Sequence, residues 1–171
     1  MCCSGELDVV GADGSGRRTF APGPAGDFSW LGVWSPDDSS IAYVARDGIG
    51  LIAPDGSGQR VLLPVTVNQV PTALAWSHDG RLLAYSAPGG IHVLTVDGSA
   101  PPRLLADERA PGGLSFSPDD SEIVYAAQRP GPGARTQSDL FVISLQGGPA
   151  RGLVTGPYDD TEPAWQPLPS S

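Results

Sequence analysis

The chain has 171 residues and a formal net charge of −9, with 19 acidic residues against 10 basic ones, all of them arginine. An acidic surface repels phosphate, which argues against nucleic-acid binding and against docking on anionic lipid. No apolar run reaches the roughly 18 residues that a spanning helix needs, so we expect no membrane insertion.

The first predicted element is Leu7–Gly14, an apolar run that ends in Asp-Gly. Asp-Gly suits a tight hairpin turn because glycine tolerates a positive φ. No aromatic start precedes this run. We therefore expect residues 5–20 to form only the last two strands, c and d, of a repeat unit.

A repeat then organises most of the chain. An aromatic residue begins a Ser-x-Asp turn, and an apolar strand that holds a tyrosine follows, with the tyrosine nine positions after the aromatic residue each time. The three copies are Trp34 with Tyr43, Trp76 with Tyr85, and Phe116 with Tyr125. A fourth start appears at Trp165.

A second apolar run follows the first one in every copy. It reads IGLIAPDG from Ile49, IHVLTVDG from Ile91 and LFVISLQG from Leu140, and the third copy carries an insertion around Gln128–Thr136. Repeats of ~40–50 residues with several short strands are typical of β-propeller blades. Each copy is therefore predicted to form four antiparallel strands, a to d.

The element W-S-P-D followed by I-A-Y, a strand and D-G resembles the TolB-type, WD40-like β-propeller repeat. It is also similar to the N-terminal propeller of prolyl-oligopeptidase-type peptidases. The resemblance covers residues 5–167. It implies an all-β fold in a six- or seven-bladed ring, often extracytoplasmic, which binds protein or ligand around a central tunnel.

The predicted organisation is a single β-propeller domain over residues 1–171. It comprises a partial blade at 5–20, blades at about 29–63, 72–106 and 112–155, and a terminal strand at 162–167. Three alternatives stay open: a fragment of a larger propeller or open arc, a small four-bladed ring, or two joined chains. In an arc, exposed terminal blades would favour self-association.

The repeated aromatic residues are predicted to fill the space between neighbouring blades. The candidates for this core are Trp34, Trp76, Phe116, Trp165, Tyr43, Tyr85 and Tyr125. Trp30 and Tyr158 lie off the repeat.

Catalytic and metal-binding patterns are not found in the sequence. There is no G-x-S-x-G nucleophile motif, and the two histidines, His78 and His92, lack zinc-ligand spacing. The adjacent thiols Cys2 and Cys3 cannot bridge distant parts of a fold. Paired aspartates fit turns better than a calcium loop. We therefore expect no enzyme activity, no metal and no cofactor.

Binding residues are expected in the loops that lead into strand a, since such loops share one mouth of a propeller. The candidates are Asp27, Asn68, Gln69, Asp107, Glu108, Arg109, Asp159, Asp160 and Glu162. Their acidic character favours a basic peptide segment or a cation. The insertion Gln128–Thr136 is expected to be a mobile loop, with a second contact surface as the alternative.

The sequence thus predicts a non-catalytic propeller module for protein or peptide binding, as a fragment of a larger propeller. The alternative is the propeller portion of a prolyl-oligopeptidase-type serine peptidase whose catalytic domain lies outside this chain. Without a signal peptide the expected location is the cytoplasm. For a fragment of a TolB-like protein it is the periplasm or the exterior.

Overall fold

The computed structural model describes residues 7–20, 31–45, 48–64, 69–108, 112–130 and 136–165. These residues form fourteen β-strands and contain no α-helix. Among them, no helix is long and apolar enough to cross a membrane. The strands are β1 (Leu7–Val9), β2 (Arg18–Phe20), β3 (Gly32–Trp34), β4 (Ile41–Ala45), β5 (Gly48–Ile52), β6 (Arg60–Pro64), β7 (Ala73–Trp76), β8 (Leu82–Ala87), β9 (Gly90–Thr95), β10 (Arg103–Ala106), β11 (Gly112–Phe116), β12 (Glu122–Pro130), β13 (Thr136–Ser144) and β14 (Arg151–Val154).

The strands form three four-stranded antiparallel meanders and one two-stranded sheet. The first blade is β3-β4-β5-β6, the second is β7-β8-β9-β10 and the third is β11-β12-β13-β14. The half blade consists of β1 and β2, which correspond to strands c and d. The predicted all-β fold of four-stranded antiparallel blades is confirmed.

The chain divides into two compact units, residues 1–71 and 72–171. In the first unit, the half blade packs its apolar side chains against a cluster on the first blade. In the second unit, one cluster joins the facing sides of the second and third blades, with Phe116, Ile123 and Tyr125 meeting Ala84 and Ile91. The organisation of residues 1–171 as a single domain stays a prediction.

Each a–b turn is closed by a serine and an aspartate two residues later. In the third blade the Ser117 hydroxyl donates to Asp119 Oδ1 over 2.6 Å and accepts from the Glu122 amide over 2.9 Å. The same bonds recur with Ser35 and Asp37 and with Ser77 and Asp79. These local bonds replace the ladder bonds that the backbone gives up in the turn.

The Asp-Gly turns between strands c and d also form as predicted. Gly56 has φ 89° and its amide donates to the Ala53 carbonyl over 2.9 Å. Asp55 accepts from both the amide and the hydroxyl of Ser57. The positive φ at this position is the conformation that a glycine adopts without steric cost.

The predicted aromatic core needs one correction. Tyr43, Tyr85, Tyr125 and Phe116 are buried, whereas Trp76 and Trp165 are half-buried. Trp34 is 47 % exposed, and the prediction that it lies in the core is wrong. The half blade packs instead on Ile41, Tyr43, Ala45 and Ile52, a cluster that does not include Trp34.

The terminal strand predicted at 162–167 is absent from its described part, residues 162–165. Glu162 has φ 54°, which is incompatible with an extended strand, and Pro163 has no N–H for a ladder bond. Both lie against Gly113 of β11, where an added Cβ would be 2.8 Å from the Pro163 ring. Residues 166 and 167 lie outside the described residues.

The expectation of a loop across Gln128–Thr136 is also wrong at both ends of that segment. β12 and β13 continue to Pro130 and Thr136, with the pairs Gln128↔Ser138, Arg129↔Gln137 and Pro130↔Thr136. Cross-strand pairing satisfies the backbone polar groups that a loop would leave to water. Residues 131–135 lie outside the described residues.

Candidate functional site

Three segments of the third blade meet at one of its ends, which we call the loop edge. They are the segment before β11 (Asp107 and Glu108), the outer part of the β12–β13 hairpin (Gln128–Pro130 and Thr136–Asp139) and the segment after β14 (Thr155–Glu162). In an antiparallel meander, the b–c hairpin and the connections into strand a and out of strand d share one end of the sheet. The topology therefore brings these segments together.

An ion pair joins the first segment to the hairpin. The Arg129 guanidinium donates to Glu108 Oε2 over 2.8 Å, and the Tyr125 hydroxyl donates to Glu108 Oε1 over 3.0 Å. The Arg129 guanidinium also lies 4.2 Å from the centroid of the Phe141 ring, and that ring stacks on Tyr125. Two donors hold the half-buried carboxylate of Glu108, and the contact with the Phe141 ring holds the Arg129 guanidinium.

The charges in this network are fixed near neutral pH. The hydrogen bond to Glu108 raises the pKa of Arg129, so the guanidinium stays protonated. Burial, and after it the Glu108 charge, raises the pKa of the Tyr125 phenol, which therefore stays neutral and keeps its proton to donate. The pair thus acts as a clamp between the segment before β11 and the hairpin.

A second set of bonds joins the hairpin to the segment after β14. Asp139 is buried and accepts from the Gly156 amide over 3.3 Å, while the Gln137 side-chain amide donates to the Gly156 carbonyl. Beside them, the Ser138 amide donates to Asp159 Oδ1 over 2.9 Å, and the Asp160 amide donates to the Ser138 carbonyl over 2.7 Å. The hairpin is therefore held from both sides.

The structure brings some of the predicted binding residues together at the loop edge. Glu108, Asp159, Asp160 and Glu162 lie there, with Asp107 exposed beside Glu108. Gln69 is exposed and belongs to the other compact unit. Asp27, Asn68 and Arg109 lie outside the described residues.

Sequence reasoning missed Arg129, Gln137 and Asp139, which bind the three segments to one another. No periodic signal marks them, because residues 128–129 and 136–139 are runs of polar residues without the alternation of a half-buried strand. The glycine and proline residues among residues 130–134 predict a turn, and they give no indication that the residues on either side of it continue the strands.

Both histidines make structural contacts. His78 Nδ1 and its amide lie 2.9 Å and 2.7 Å from Asp120 Oδ1, which links the a–b turns of the second and third blades. His92 stacks on Tyr85 with ring centroids 5.0 Å apart, and desolvation lowers its pKa. Within the part of the chain that the structure describes, no three histidine, cysteine or acidic residues are grouped to hold a metal ion.

Solved structures with this architecture are found although no protein-family model and no curated protein matches the sequence. A putative TolB from Agrobacterium tumefaciens superposes with a TM-score of 0.73 at 17% identity, over 93% of this chain and 57% of that one. TolB from Acinetobacter baumannii gives 0.71 at 18% identity, over 90% and 38%. The chain has the TolB-type, WD40-like β-propeller fold.

The fold also occurs in a structure described as a gluconolactonase, XC5397 from Xanthomonas campestris, with a TM-score of 0.65 at 17% identity over 95% of this chain and 59% of that one. This TolB-like chain therefore spans between 38% and 59% of the length of the three structures. Since TolB proteins and a gluconolactonase share the blades, the fold alone does not assign an activity. The chain is a β-propeller module.

Proposed function

We propose that this chain is a non-catalytic β-propeller module that binds a protein or peptide segment at the loop edge of the third blade. The observation that carries the proposal is the extended β12–β13 hairpin, which is bonded to the chain segments on either side of it. Loops and hairpins held on a rigid sheet are the usual positions of binding residues.

The bonding of the loop edge supports a preorganised surface. The Arg129–Glu108 pair and the Asp139–Gly156 bond fix two backbone segments before any partner arrives. A surface that is already ordered loses less conformational entropy when it binds. Tyr158, which is 78 % exposed in the segment after β14, adds an aromatic side chain of the kind common at protein interfaces.

The charge of the loop edge favours a basic partner. Its described residues carry one arginine, Arg129, against the carboxylates of Asp107, Glu108, Asp139, Asp159, Asp160 and Glu162. Arg129 neutralises Glu108, so the exposed carboxylates of Asp107, Asp159 and Glu162 dominate the field that a partner meets. Complementary charge increases association rates and excludes acidic partners.

Charge reversal at the loop edge tests the proposal. The probe is a fluorescein-labelled peptide of alternating arginine and glycine, measured by fluorescence anisotropy, with an alternating glutamate and glycine peptide as the negative control. We expect Asp107→Lys/Glu162→Lys to weaken binding of the basic peptide about ten-fold or more, because it removes two exposed carboxylates that make no hydrogen bond or ion pair with other described residues.

The matched control is Asp13→Lys/Asp97→Lys, which changes the net charge equally at two c–d turns. Binding should survive in this variant. Equal loss in both variants would show a non-specific response to net charge, and equal retention would rule out the loop edge as the site. Circular dichroism confirms that each variant is folded.

A separate observation tests the alternative that the chain is the propeller portion of a prolyl-oligopeptidase-type serine peptidase. In that case the reading frame next to this sequence would encode an α/β-hydrolase pattern with G-x-S-x-G, and the joined protein would cleave peptides. The periplasmic or extracellular location expected for a TolB-like fragment also remains a prediction, which fractionation of cells that express the intact gene would test.

A further inference from the structure

Tyr158 is the most exposed large apolar side chain in the part of the chain that the structure describes. It is 78 % exposed, whereas the repeated tyrosines Tyr43, Tyr85 and Tyr125 are at most 5 % exposed. An aromatic ring buries a large apolar area when a neighbour covers it, and tyrosine is one of the residues that most often dominate the binding energy of an interface. Tyr158 is therefore available to a partner, and the repeated tyrosines are not.

The backbone on both sides of Tyr158 is held in place. On one side, the amide and the carbonyl of Gly156 both bond to side chains of β13. On the other side, Asp159 Oδ1 accepts from a backbone amide of β13 over 2.9 Å. Between these two anchors, Pro157 has a φ that its ring fixes. The Tyr158 ring is therefore presented from an ordered backbone, which lowers the conformational entropy lost on binding.

Two exposed carboxylates belong to the same segment as the ring, those of Asp159 and Glu162. Asp159 uses Oδ1 for the amide of β13. Among the described residues, neither its Oδ2 nor the Glu162 carboxylate takes part in a hydrogen bond or an ion pair. An acidic partner would be repelled here, and an apolar one would leave both charges unpaired. A cation is attracted by the carboxylates and by the negative face of the ring, so the segment favours a cationic side chain.

The loop edge already holds one guanidinium between a ring and a carboxylate. Arg129 lies 4.2 Å from the centroid of the Phe141 ring and pairs with Glu108 Oε2 over 2.8 Å. A guanidinium is planar, so it can stack on a ring while the N–H groups at its edge reach a carboxylate. The ammonium of lysine is more strongly hydrated and has no plane to stack. A ring that is accompanied by carboxylates therefore favours arginine over lysine.

We infer that Tyr158 receives an arginine side chain of a basic polypeptide, and that the loop edge selects arginine over lysine through this ring. The guanidinium stacks on the exposed ring, and the carboxylates of Asp159 and Glu162 balance its charge. The inference rests on the proposed function, because it names the side chain that the acidic loop edge binds. The ring supplies the selectivity, since the carboxylates alone attract either cation.

Two labelled peptides of equal length and charge separate the ring from the carboxylates. One alternates arginine and glycine, the other alternates lysine and glycine, and fluorescence anisotropy measures the binding of each to the full chain. We expect the arginine peptide to bind at least about three-fold more tightly. Tyr158→Leu, which keeps an apolar side chain without a ring, should abolish this preference by weakening the arginine peptide alone. Tyr158→Phe, which keeps the ring, should retain it.

Two further variants control for other aromatic residues and for the arginines of the chain itself. Trp34→Leu is the matched control, because Trp34 is 47 % exposed and belongs to the other compact unit. It should leave the preference for arginine unchanged. In Arg109→Gln/Arg135→Gln, the arginines next in sequence to Glu108 and Thr136 are removed. The preference should be the same in this variant as in the parent chain, and circular dichroism confirms that each variant is folded.

Equal binding of the two peptides, or a preference that Tyr158→Leu leaves intact, overturns the inference and leaves the proposed function standing. A preference that arises only in Arg109→Gln/Arg135→Gln also overturns it, because the chain's own arginines would then occupy the ring. If neither peptide binds to any of these chains, the proposed function fails as well. A preference that depends on the ring at position 158, and not on Trp34, supports an arginine-binding site.

Discussion

In the second blade the b–c connection is Pro88–Gly89, whereas in the third blade β12 and β13 each run nine residues and pair out to Pro130 and Thr136. The interiors of these two blades nevertheless match. Leu83 and Ile123 are both 0 % exposed, and the tyrosine two residues later is buried in each. The two blades therefore differ at the loop edge and agree inside.

This difference shows which part of the blade can vary in sequence and length while the interior packing is retained. The a–b turns use the same serine and aspartate bonds in both blades, and Asp120 links the two turns by accepting from the amides of His78 and Asp79. At the loop edge, Tyr125 bonds to Glu108, while Tyr85 stacks on His92. The interior positions match in the two blades, and the variation between them lies at the loop edge, where we propose that binding occurs.

The largest expected effect comes from truncating the equivalent interior residues. Leu83→Ala and Ile123→Ala should each lower the free energy of unfolding by about 2–5 kcal/mol, because each leaves a cavity in a fully buried position. Urea denaturation of the two variants measures the losses. Values that differ by more than about 2 kcal/mol would break the equivalence of the two interiors.

A smaller effect is expected from the repeated tyrosines. Tyr125→Phe removes the donor to Glu108 Oε1 and should cost about 1–2 kcal/mol, since a half-buried carboxylate loses a hydrogen bond. Burial raises the pKa of Tyr85 to about 12, and its hydroxyl makes no hydrogen bond to a carboxylate among the described residues. Tyr85→Phe should therefore cost less, and equal losses in urea melts would contradict the distinction between the surroundings of the two tyrosines.

The smallest expected effect concerns the shared a–b turns at low pH. Hydrogen bonds from Ser117 and Ser121 lower the pKa of Asp119 to about 2 from its usual 3.8, and bonds from Arg81 and Ser77 lower that of Asp79. Because the folded pKa is depressed, the stabilisation is complete above about pH 4 and is lost as the pH falls towards about 2.

Asp119→Asn keeps an oxygen acceptor for the serines but does not titrate. The urea midpoint of this variant should fall less steeply than that of the parent between about pH 4 and pH 2. Identical slopes would mean that the Asp119 carboxylate does not contribute to the acid sensitivity of the protein.

The repeat made the blades predictable because its signals are local. The spacing from Phe116 to Tyr125, the Ser-x-Asp turns and the Asp-Gly turns each specify a strand or a turn within a few residues, and the structure contains them. Trp34 was not predictable in the same way. Trp34 pairs with Ile41 and so shares the face that the half blade covers, but the described half blade consists of only two strands. The repeat pattern alone contains no information about how far a neighbouring sheet extends over that face.

The candidate site was predictable only as a group of loops. Chain connectivity indicated that the segments around Glu108 and Asp159 share an end of the blade. The bonds that hold them come from Arg129, Gln137 and Asp139, whose positions depend on strands that continue through an insertion. Glycine and proline in that insertion obscured the longer ladder, and no local rule identifies an ion pair across 21 residues.

The paired backbone of the β12–β13 hairpin also makes it a position for protein engineering. Its register continues to Pro130 and Thr136, so residues added in equal number to both strands would lengthen the arm and preserve the pleat. One extra residue in a single strand would turn every later side chain to the opposite face. A foreign epitope grafted in matched pairs should therefore project from the blade in a known orientation.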